Sequence, residues 1–322
     1  MTAAAFAAAA ALDAVVGDPQ WFPHPVRGMG RAIGALERLV RRSARGRASF
    51  ERAGGFAIVA ALVGSSAAAT HTVQRIATIL GPPYRMLVDV LFAWTTLAVR
   101  DLIVEVDSVL RALRCDDLDA ARARLGRIVG RDTAELDRSA IARALIETLA
   151  ESFCDGIVAP VCALALGGPP AAMAFKAAST LDSMIGHIEA PHTHVGFAAA
   201  KLDDALCYVP ARIAAVAIAV CAPFAGGSTR AALRTARREG GNHASPNAGR
   251  VEAAMAGALG VRLGGPSAYG GTIVARPPLG AAYGVPRESD VLRARTVIVA
   301  ASLSISILAF AGIALGARAA EG

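Results

Sequence analysis

The chain has few charged and few aromatic residues for its length. Only 18% of its 322 residues are charged and 5% are aromatic, whereas a soluble domain is about one quarter charged. Long runs of Ala, Val, Leu and Ile take their place, and the mean hydropathy is +0.47. This composition disfavours a pair of soluble domains and predicts an integral membrane protein.

Several common sequence signals are also missing. The five cysteines form no CxxC pair and have no neighbouring histidine, which argues against a zinc site or a disulfide framework. Neither GxxxxGK[ST] nor GxGxxG occurs, so a nucleotide site would be of an unrecognised type. The first residues, MTAAAFAAAAALDAVV, lack a basic start, so we expect a retained membrane segment rather than a cleaved signal.

The net charge of +7 comes from two arginine-rich stretches. Residues 37–52 hold six Arg against two Glu, and residues 230–238 hold four Arg and no acid. Because no aromatic residues interleave these stretches, nucleic-acid binding is disfavoured. Basic loops on the cytoplasmic side of a membrane are the simpler interpretation.

The apolar runs predict an all-α, polytopic membrane helical bundle with broken or re-entrant helices and Gly/Pro-rich polar loops. We expect one integral membrane domain over residues 1–322. The clearest span is 296–316, where 21 residues carry no charge, enough to cross a hydrocarbon core of about 30 Å. The predicted spans are 2–16, 54–70, 79–99, 157–175, 205–226 and 296–316, and the polar segments between them are 17–53, 100–156, 176–204 and 227–295.

Three of these spans are interrupted. Residues 79–99 contain Arg85 and Asp89, 157–175 contain GGPP, and 205–226 contain Pro210 and Arg212. Such breaks are tolerated where the segment is buried in protein or lines a cavity. Six full spans with both basic loops in the cytoplasm would place 176–204 outside, so we expect 157–175 or 205–226 to be re-entrant or partly buried.

The polar segments differ in character. Residues 100–143 have helical periodicity, and DTAELDRS offers Asp132 or Thr133 as an N-cap, with Glu135 in the first turn. Residues 240–290 are instead rich in Gly, Pro and Asn, which predicts loops.

An acidic helix is predicted at ALIETLAESFCDGIVAP (144–160). Glu147, Glu151 and Asp155 are four residues apart, so on a helix they would share one face and repel one another. One interpretation is an exposed acidic face balanced by Arg143. The other is a site for Mg²⁺, a hard cation with oxygen ligands, because ionisable residues next to a membrane span are costly and usually functional.

A second polar cluster lies in LDAVVGDPQWFPHPVRGMGR (12–31). Asp18, His24 and Arg27 surround a Pro-rich turn at the end of the first predicted span. They form either a solvated loop or a polar wall that faces a ligand.

A third cluster lies in FKAASTLDSMIGH (175–187) and AAAKLDDALCYVPAR (198–212). Lys176 and Arg212 could hold phosphate, and Asp203 with Asp204 could hold a metal ion. Charges that snorkel to the membrane interface would explain Lys201 and Arg212, but they explain Asp182 and the Asp203–Asp204 pair poorly.

The fourth cluster is GGNHASPNAGRVEAAMAGALGVRLGGPSAYGG (240–271). SPNAG is predicted to open a helix whose first turns contain Glu252. Backbone N–H groups at such turns and helix N-termini favour anions.

Taken together, six stretches in order along nearly the whole chain resemble the adenosylcobinamide-phosphate synthase family, integral membrane proteins of cobalamin biosynthesis. The stretches are LDAVVGDPQWFPHPVRGMGR, GRDTAELD, ETLAESFCDGIVAP, KAASTLDSMIGH, KLDDALCYVPAR and HASPNAGRVEAAMAGALGVRLGGPSAYGG.

The resemblance implies an ATP-dependent ligase. It would join the carboxylate of adenosylcobyric acid, a corrinoid, to the amine of aminopropanol or aminopropanol O-phosphate. It also implies a multi-pass protein of the cytoplasmic (inner) membrane with its site on the cytoplasmic side. The partners would be these substrates and membrane lipid, without nucleic acid, and a homo-oligomer or a complex with other late cobalamin enzymes stays open.

The implied roles fall on the clusters above. Mg²⁺ would bind Glu147, Glu151 and Asp155, with Asp203 and Asp204 as further ligands, and ATP would be a co-substrate. Phosphate oxygens would be held by Lys176, Arg212 and the SPNAG turn, and the base for the amine would be His24, Asp182 or His243. Expected catalytic residues are Glu151, Asp182, Lys176 and His24, and expected substrate-binding residues are Asp18, Arg27, Arg212, His243, Ser245, Asn247 and Glu252.

Two rival functions remain open. A small-molecule transporter would also have broken spans and charges within the membrane, although no inverted repeat is visible. A non-catalytic scaffold or corrinoid-binding partner would have no need of the acidic helix.

Overall fold

Helices make up 75% of the structure, a computed structural model that describes residues 1–19, 21–186 and 192–321. This confirms the prediction of an all-α membrane protein. The α-helices in the described residues are α1 Ala3–Val16, α2 Pro25–Ala44, α3 Ala48–Leu80, α4 Pro82–Trp94, α5 Val99–Arg114, α6 Leu118–Leu125, α7 Arg138–Phe153, α8 Ala159–Ile185, α9 Phe197–Leu206, α10 Tyr208–Cys221, α11 Thr229–Glu239, α12 Ala248–Leu259 and α13 Glu288–Glu321, with a π-helical turn at Cys154–Val158 and a 3₁₀ turn at Ala222–Ala225.

Four short strands follow α12 in the Gly/Pro-rich segment. Strand β1 (Leu263–Gly264) pairs antiparallel with β4 (Pro278–Leu279), and β2 (Ser267–Tyr269) pairs antiparallel with β3 (Thr272–Val274). The segment predicted as loops therefore contains two small sheets, and the helix predicted after SPNAG is α12.

Within the described residues, four helical segments are long and apolar enough to cross a membrane. They are Ala48–Leu80, Arg138–Ile185, Tyr208–Ala225 and Glu288–Ala319. Helix α1 is apolar but has only 14 residues. The count of six spans and the single membrane domain stay predictions, and the predicted polar segments 17–53 and 176–204 include Gln20 and residues 187–191, which lie outside the described residues.

The predicted span 79–99 is divided between two helices. Helix α3 ends at Leu80, Gly81 adopts a φ of 121°, and α4 begins at Pro82. Proline favours the first turn of a helix, where its missing N–H costs nothing. The two charges of this segment are paired: Asp89, which is buried, accepts hydrogen bonds from Arg85 Nε at 3.0 Å and from Gln74 Nε2 at 2.6 Å.

Replacing Asp89 with Ala is therefore expected to destabilise the protein by about 2–3 kcal/mol, because buried Gln74 and the paired Arg85 lose their acceptor. Thermal unfolding in detergent would measure the effect. The matched control is Asp119→Ala, which breaks the Arg122 pair of an acid whose side chain is 94% exposed and should cost well under about 1 kcal/mol. Equal losses in the two variants would contradict the prediction.

Helix α8 is broken where the sequence predicts a break. Gly168 has a φ of 65° and is followed by Pro169 and Pro170. Proline removes a backbone donor and its ring clashes with the preceding turn, and glycine accepts the positive φ without strain. The interruption predicted from GGPP is thus confirmed.

The chain divides into two compact units. The first unit comprises Met1–Ala98, Ala159–Cys207 and Ser306–Gly322, and the second comprises Val99–Val158 and Tyr208–Ile305. In the first unit, α3 packs on α2, α4, α8 and α9. Its core includes Ile33, Ile58, Leu62, Leu181 and Val195.

In the second unit, α12 is the central helix and packs on α7, α10 and α11. Every residue of α12 except Arg250 is buried. Its small residues permit a close approach: a Cβ on Gly257 would lie 2.5 Å from the carbonyl oxygen of Ala231 in α11. Alanine-rich sequence at this point is therefore explained by helix packing.

The predicted N-cap of the acidic helix is wrong. Asp137, and not Asp132 or Thr133, caps α7, and its side chain accepts from the Ala140 N–H. Asp132 instead accepts hydrogen bonds from the N–H groups of Gly270 at 3.1 Å and Gly271 at 2.7 Å. A contact 138 residues away in sequence thus holds the side chain that local sequence assigns to a cap. Glu135 precedes α7 and does not lie in its first turn.

Candidate functional site

The acidic helix α7 places Glu147 in a buried ion pair. Its Oε2 lies 2.5 Å from Arg131 Nη2, and its Oε1 accepts from the Gly264 N–H at 2.7 Å. Arg143 Nε lies 4.0 Å from Oε1. The expected repulsion along α7 is thus offset at Glu147 by two arginines, of which sequence reasoning named only Arg143.

These same groups fix the glycine-rich segment that follows α12. Arg143 donates to the carbonyl oxygens of Gly264 at 2.6 Å and Pro266 at 3.2 Å, and Arg131 donates to Ser267 Oγ at 3.3 Å. With Glu147 and Asp132 they hold the segment 263–271 at several points. Arg131 lies in the GRDTAELD stretch that the sequence analysis singled out. Its ion pair with Glu147 could not be predicted from the sequence spacing.

Glu151 differs from Glu147 although it lies one helical turn further on the same helix. Its side chain is exposed, and within the described residues it makes no hydrogen bond or ion pair. Asp155 and Glu147 contribute negative potential at its carboxylate, and Arg276 and Arg131 contribute positive potential. Glu151 is therefore an accessible acid that lies near both negatively and positively charged side chains.

Asp155 lies in the π-helical turn Cys154–Val158 that follows α7. It is half-buried, and its negative charge is the largest electrostatic influence on Glu151. A π-helical turn within a helical run is uncommon and often marks a functional site. The wider turn changes the α-helical register on which the single acidic face was predicted.

Arg276 is a further residue that sequence reasoning missed. It lies between β3 and β4, and its guanidinium is 5.2 Å from the centre of the Tyr269 ring. No ion pair holds it among the residues that the structure describes. Its positive charge acts on Glu151, His243 and Glu252. In the sequence, only its position as the single charged residue of the stretch TIVARPPLG could have indicated a role for Arg276.

The start of α12 brings His243, Ser245 and Asn247 together. Ser245 Oγ accepts from the Asn247 and Ala248 N–H groups, each at 3.3 Å, just before and at the first residue of α12. The Asn247 side chain accepts instead from Arg212 Nη1 at 2.9 Å. Ser245 thus shapes the turn, and Arg212 is tied to it from α10.

His243 and Glu252 form a buried histidine–carboxyl pair. His243 Nδ1 lies 3.1 Å from the Ser245 nitrogen and 3.3 Å from the Ser245 carbonyl oxygen, and Nε2 lies 4.0 Å from Glu252 Oε1. Burial lowers the pKa of His243, and the charge of Arg276 lowers it further. Burial raises the pKa of Glu252 well above its usual value, and the charges of Glu147 and Glu151 add to the effect.

The raised pKa of Glu252 predicts how stability depends on pH. The folded protein keeps this proton above about pH 4.5, where the unfolded chain loses it, so stability falls as pH rises from there to the folded pKa. Because Gln does not titrate, the free energy of unfolding of Glu252→Gln should fall less steeply with pH than that of the wild type, by up to about 1.4 kcal/mol per pH unit. Denaturant unfolding between pH 5 and 8 would measure the slope, with exposed Glu135→Gln as control. A slope unchanged in Glu252→Gln would disprove the assignment.

In the first unit, Asp18, His24, Arg27 and Lys176 lie in one neighbourhood. Asp18 is 3.9 Å from both His24 Nε2 and Arg27 Nη2. His24 Nδ1 accepts from the Val26 N–H and caps α2. Burial lowers the pKa of His24, Asp18 opposes this shift, and the charges of Lys176 and Arg27 reinforce it. The polar wall predicted here is thus a set of interacting charges.

The remaining candidates also lie in the first unit. Asp182 is half-buried on α8, and its backbone carbonyl accepts from the Gly186 N–H at 2.7 Å. On α9, Lys201 Nζ lies 3.7 Å from Asp204 Oδ2, and Asp203 is half-buried. His187, the last residue of the KAASTLDSMIGH stretch, lies outside the described residues.

The candidates thus form two sets, each described within its own unit. The first unit holds Asp18, His24, Arg27, Lys176, Asp182, Asp203 and Asp204, and the second holds Glu147, Glu151, Asp155, Arg212, His243, Ser245, Asn247 and Glu252. In each set, acids, bases and cations lie on or beside apolar helices. These features define a helical membrane protein with ionisable polar sites.

Comparison with known proteins assigns the family. The model of the CobD/Cbib protein family matches residues 6–298. The chain is 44% identical over 269 residues to cobalamin biosynthesis protein CobD of Geobacter metallireducens, covering 84% of this chain and 83% of the relative. It is 40% identical over 309 residues to cobalamin biosynthesis protein CbiB of Salmonella typhimurium, covering 96% and 97%. No solved structure matches the chain.

The chain therefore belongs to the CobD/CbiB family of cobalamin biosynthesis proteins.

Proposed function

We propose that this protein is an ATP-dependent ligase that joins adenosylcobyric acid to aminopropanol O-phosphate, or to aminopropanol, through an amide bond. The observation that carries the proposal is Glu151, an accessible carboxylate beside Asp155 and within the field of two arginines. Family membership supports the place of the reaction in cobalamin biosynthesis, and apolar helices support a membrane location. We place the protein in the inner membrane with its site towards the cytoplasm.

The reaction has two balanced steps. A propionate oxygen of the corrinoid attacks the γ-phosphorus of ATP, the bond between that phosphorus and the β–γ bridging oxygen breaks, and ADP leaves. The amine nitrogen then attacks the acyl carbon, the bond to the phosphate oxygen breaks, and inorganic phosphate leaves. One proton of the amine passes to a base. Phosphoryl transfer of this kind depends chiefly on positioning and on neutralised charge.

The carboxylate oxygens of the acidic helix fit Mg²⁺, but Glu147, Glu151 and Asp155 are not equally suited as ligands. Both oxygens of Glu147 already have protein partners, so its proposed role is to position the 263–271 segment. Glu151 and Asp155 are the proposed ligands in the second unit, and Asp203 and Asp204 are the proposed oxygen donors in the first. When bound, Mg²⁺ would neutralise charge on the phosphates of ATP.

Cationic side chains would hold phosphate oxygens. In the second unit we assign this role to Arg276, together with Arg212 and the N–H groups at the start of α12. In the first unit Lys176 has the corresponding role. Arg276 is preferred over Arg131 because Arg131 is engaged by Glu147.

A base must take a proton from the incoming amine. We propose His243 of the His243–Glu252 pair, because its lowered pKa keeps the ring neutral, so that one ring nitrogen can take up the proton. His24 with Asp18 has the same arrangement in the first unit, and Asp182 is the third candidate. Retention of full turnover in His243→Gln would exclude His243.

The direct test uses membranes that contain the protein, incubated with adenosylcobyric acid, Mg-ATP and either amine, with product measured by mass spectrometry. We expect the amide, ADP and phosphate in equal amounts. When the corrinoid carboxylate carries ¹⁸O, one labelled oxygen should appear in the released phosphate. Membranes without the protein are the control. Product without ATP would refute the ligase, and no product from either amine with folded protein would favour a scaffold.

A further inference from the structure

The turn between α2 and α3 forms a pocket outside both sets of candidate residues. We call it the α2–α3 basic pocket. Its cavity has a volume of about 400 Å³ and is lined by Arg42, Ser43, Ala44, Arg45, Arg47 and Phe50. Three of these six residues are arginines and none is acidic, so the pocket is strongly positive.

These arginines differ from their neighbour Arg41. Arg41 is neutralised by Glu37, whose Oε1 lies 2.8 Å from its Nε. Across the described part of the chain, Arg42, Arg45 and Arg47 make no ion pair, and all three are exposed. Like charges gathered at one cavity repel one another. An anion in the pocket would remove this repulsion.

The backbone turns sharply at the same place, immediately before the start of α3. Arg45 adopts a left-handed conformation with φ 49° and ψ 41°, and Gly46 has a φ of 78°. Helix α3 then begins at Ala48 without a side-chain cap from Arg47. The first N–H groups of a helix have no acceptor within it and carry its positive dipole end. Helix N-termini and clustered guanidinium groups both favour phosphate as a ligand.

The position of the pocket favours a lipid phosphate over a free phosphate as its ligand. It lies at the start of α3, a 33-residue helix long and apolar enough to cross a membrane. Phe50 is 59% exposed and Phe56, further along the helix, is 55% exposed. Basic residues at the end of a span lie at headgroup depth, where they meet anionic lipid phosphates. A phosphate that carries acyl chains fits this boundary better than a free phosphate does.

We propose that the α2–α3 basic pocket binds the phosphate of an anionic phospholipid headgroup, with the acyl chains along the exposed apolar face of α3. This site is independent of the ligase reaction, because none of its residues has a role there.

Native mass spectrometry of the detergent-purified full chain would test the proposal with phosphatidylglycerol and phosphatidylcholine as probes. We expect wild-type protein to prefer phosphatidylglycerol by on the order of 100-fold, the effect of three arginines near one headgroup. The variant R42Q/R45Q/R47Q should lose this preference, and R42K/R45K/R47K should keep most of it. The control R234Q/R237Q/R238Q removes the same charge from α11 and should leave it unchanged.

Three results would overturn the proposal. The first is a preference that survives in R42Q/R45Q/R47Q. The second is an equal loss in the α11 control, which would show a general effect of net charge. The third is displacement of phosphatidylglycerol by millimolar inorganic phosphate, which would identify a free-phosphate site. The unfolding temperature of each pocket variant shows whether it is folded. A lost preference for phosphatidylglycerol in R42Q/R45Q/R47Q, with an unchanged unfolding temperature, is therefore not caused by misfolding.

Discussion

Replacing Glu151 with Gln is expected to lower amide formation by roughly 1,000-fold, because it removes a charged oxygen ligand from the proposed Mg²⁺ site and such an ion stabilises the transition state by several kcal/mol. Glu151 makes no hydrogen bond or ion pair with any described residue. The amide side chain has almost the same shape, so the fold should be unaffected. Initial rates of amide formation in membranes, at saturating ATP and corrinoid, would measure the effect.

The matched control is Glu135→Gln, the same change at an exposed acid of the same unit. It should retain the wild-type rate. Excess Mg²⁺ should partly restore a variant that has lost only one metal ligand. A Glu151→Gln protein that turns over at the wild-type rate would remove this residue from the mechanism.

Replacing Arg131 with Met is expected to destabilise the protein by about 3–5 kcal/mol, because it leaves the buried Glu147 carboxylate without its closest cation. The pair is buried on both sides, with side-chain exposures of 11% for Arg131 and 6% for Glu147. The segment 263–271 should also loosen, since Arg131 and Glu147 both hold it. Thermal unfolding in detergent would give the stability, and hydrogen exchange at Gly264 would report on the segment.

Two further variants make this prediction specific. Arg127→Ala breaks the Arg127–Glu105 pair, in which the Arg127 side chain is 62% exposed, and should cost less than about 1 kcal/mol. The double variant R131M/E147M removes both buried charges and should recover most of the lost stability, as apolar replacements of buried pairs often do. A double variant as unstable as Arg131→Met would show that packing, rather than charge, is the cause.

Part of the architecture follows from local chemistry and was predictable. The composition and apolar runs predicted a helical membrane protein, because a backbone in lipid must satisfy its own hydrogen bonds. The break in α8 follows from Gly168 and two prolines, whose backbone limits do not depend on context. The helix after SPNAG was predictable for the same reason, since Ser and Asn favour helix N-termini.

Other features depended on contacts distant in sequence. Asp132 and Asp137 are both good N-cap residues, and sequence reasoning chose the wrong region. The choice is made by the N–H groups of Gly270 and Gly271, which take Asp132 out of the competition. Likewise Arg85 and Asp89 looked like defects in a span, and only folding shows that they pair with each other and with Gln74.

The acidic helix shows the same division. Sequence alone placed Glu147, Glu151 and Asp155 at equal spacing and, with the other motifs, indicated the family that the comparisons show. It could not distinguish their environments, because burial and partners depend on tertiary contacts: Gly264 lies 117 residues from Glu147 in sequence, and Arg131 lies 16 residues away, outside the helix. The tertiary structure engages Glu147 with Arg131 and Gly264, leaves Glu151 accessible, and places Asp155 in a π-helical turn. Spacing therefore determined which carboxylates are neighbours, and long-range packing decided which of them is available for chemistry.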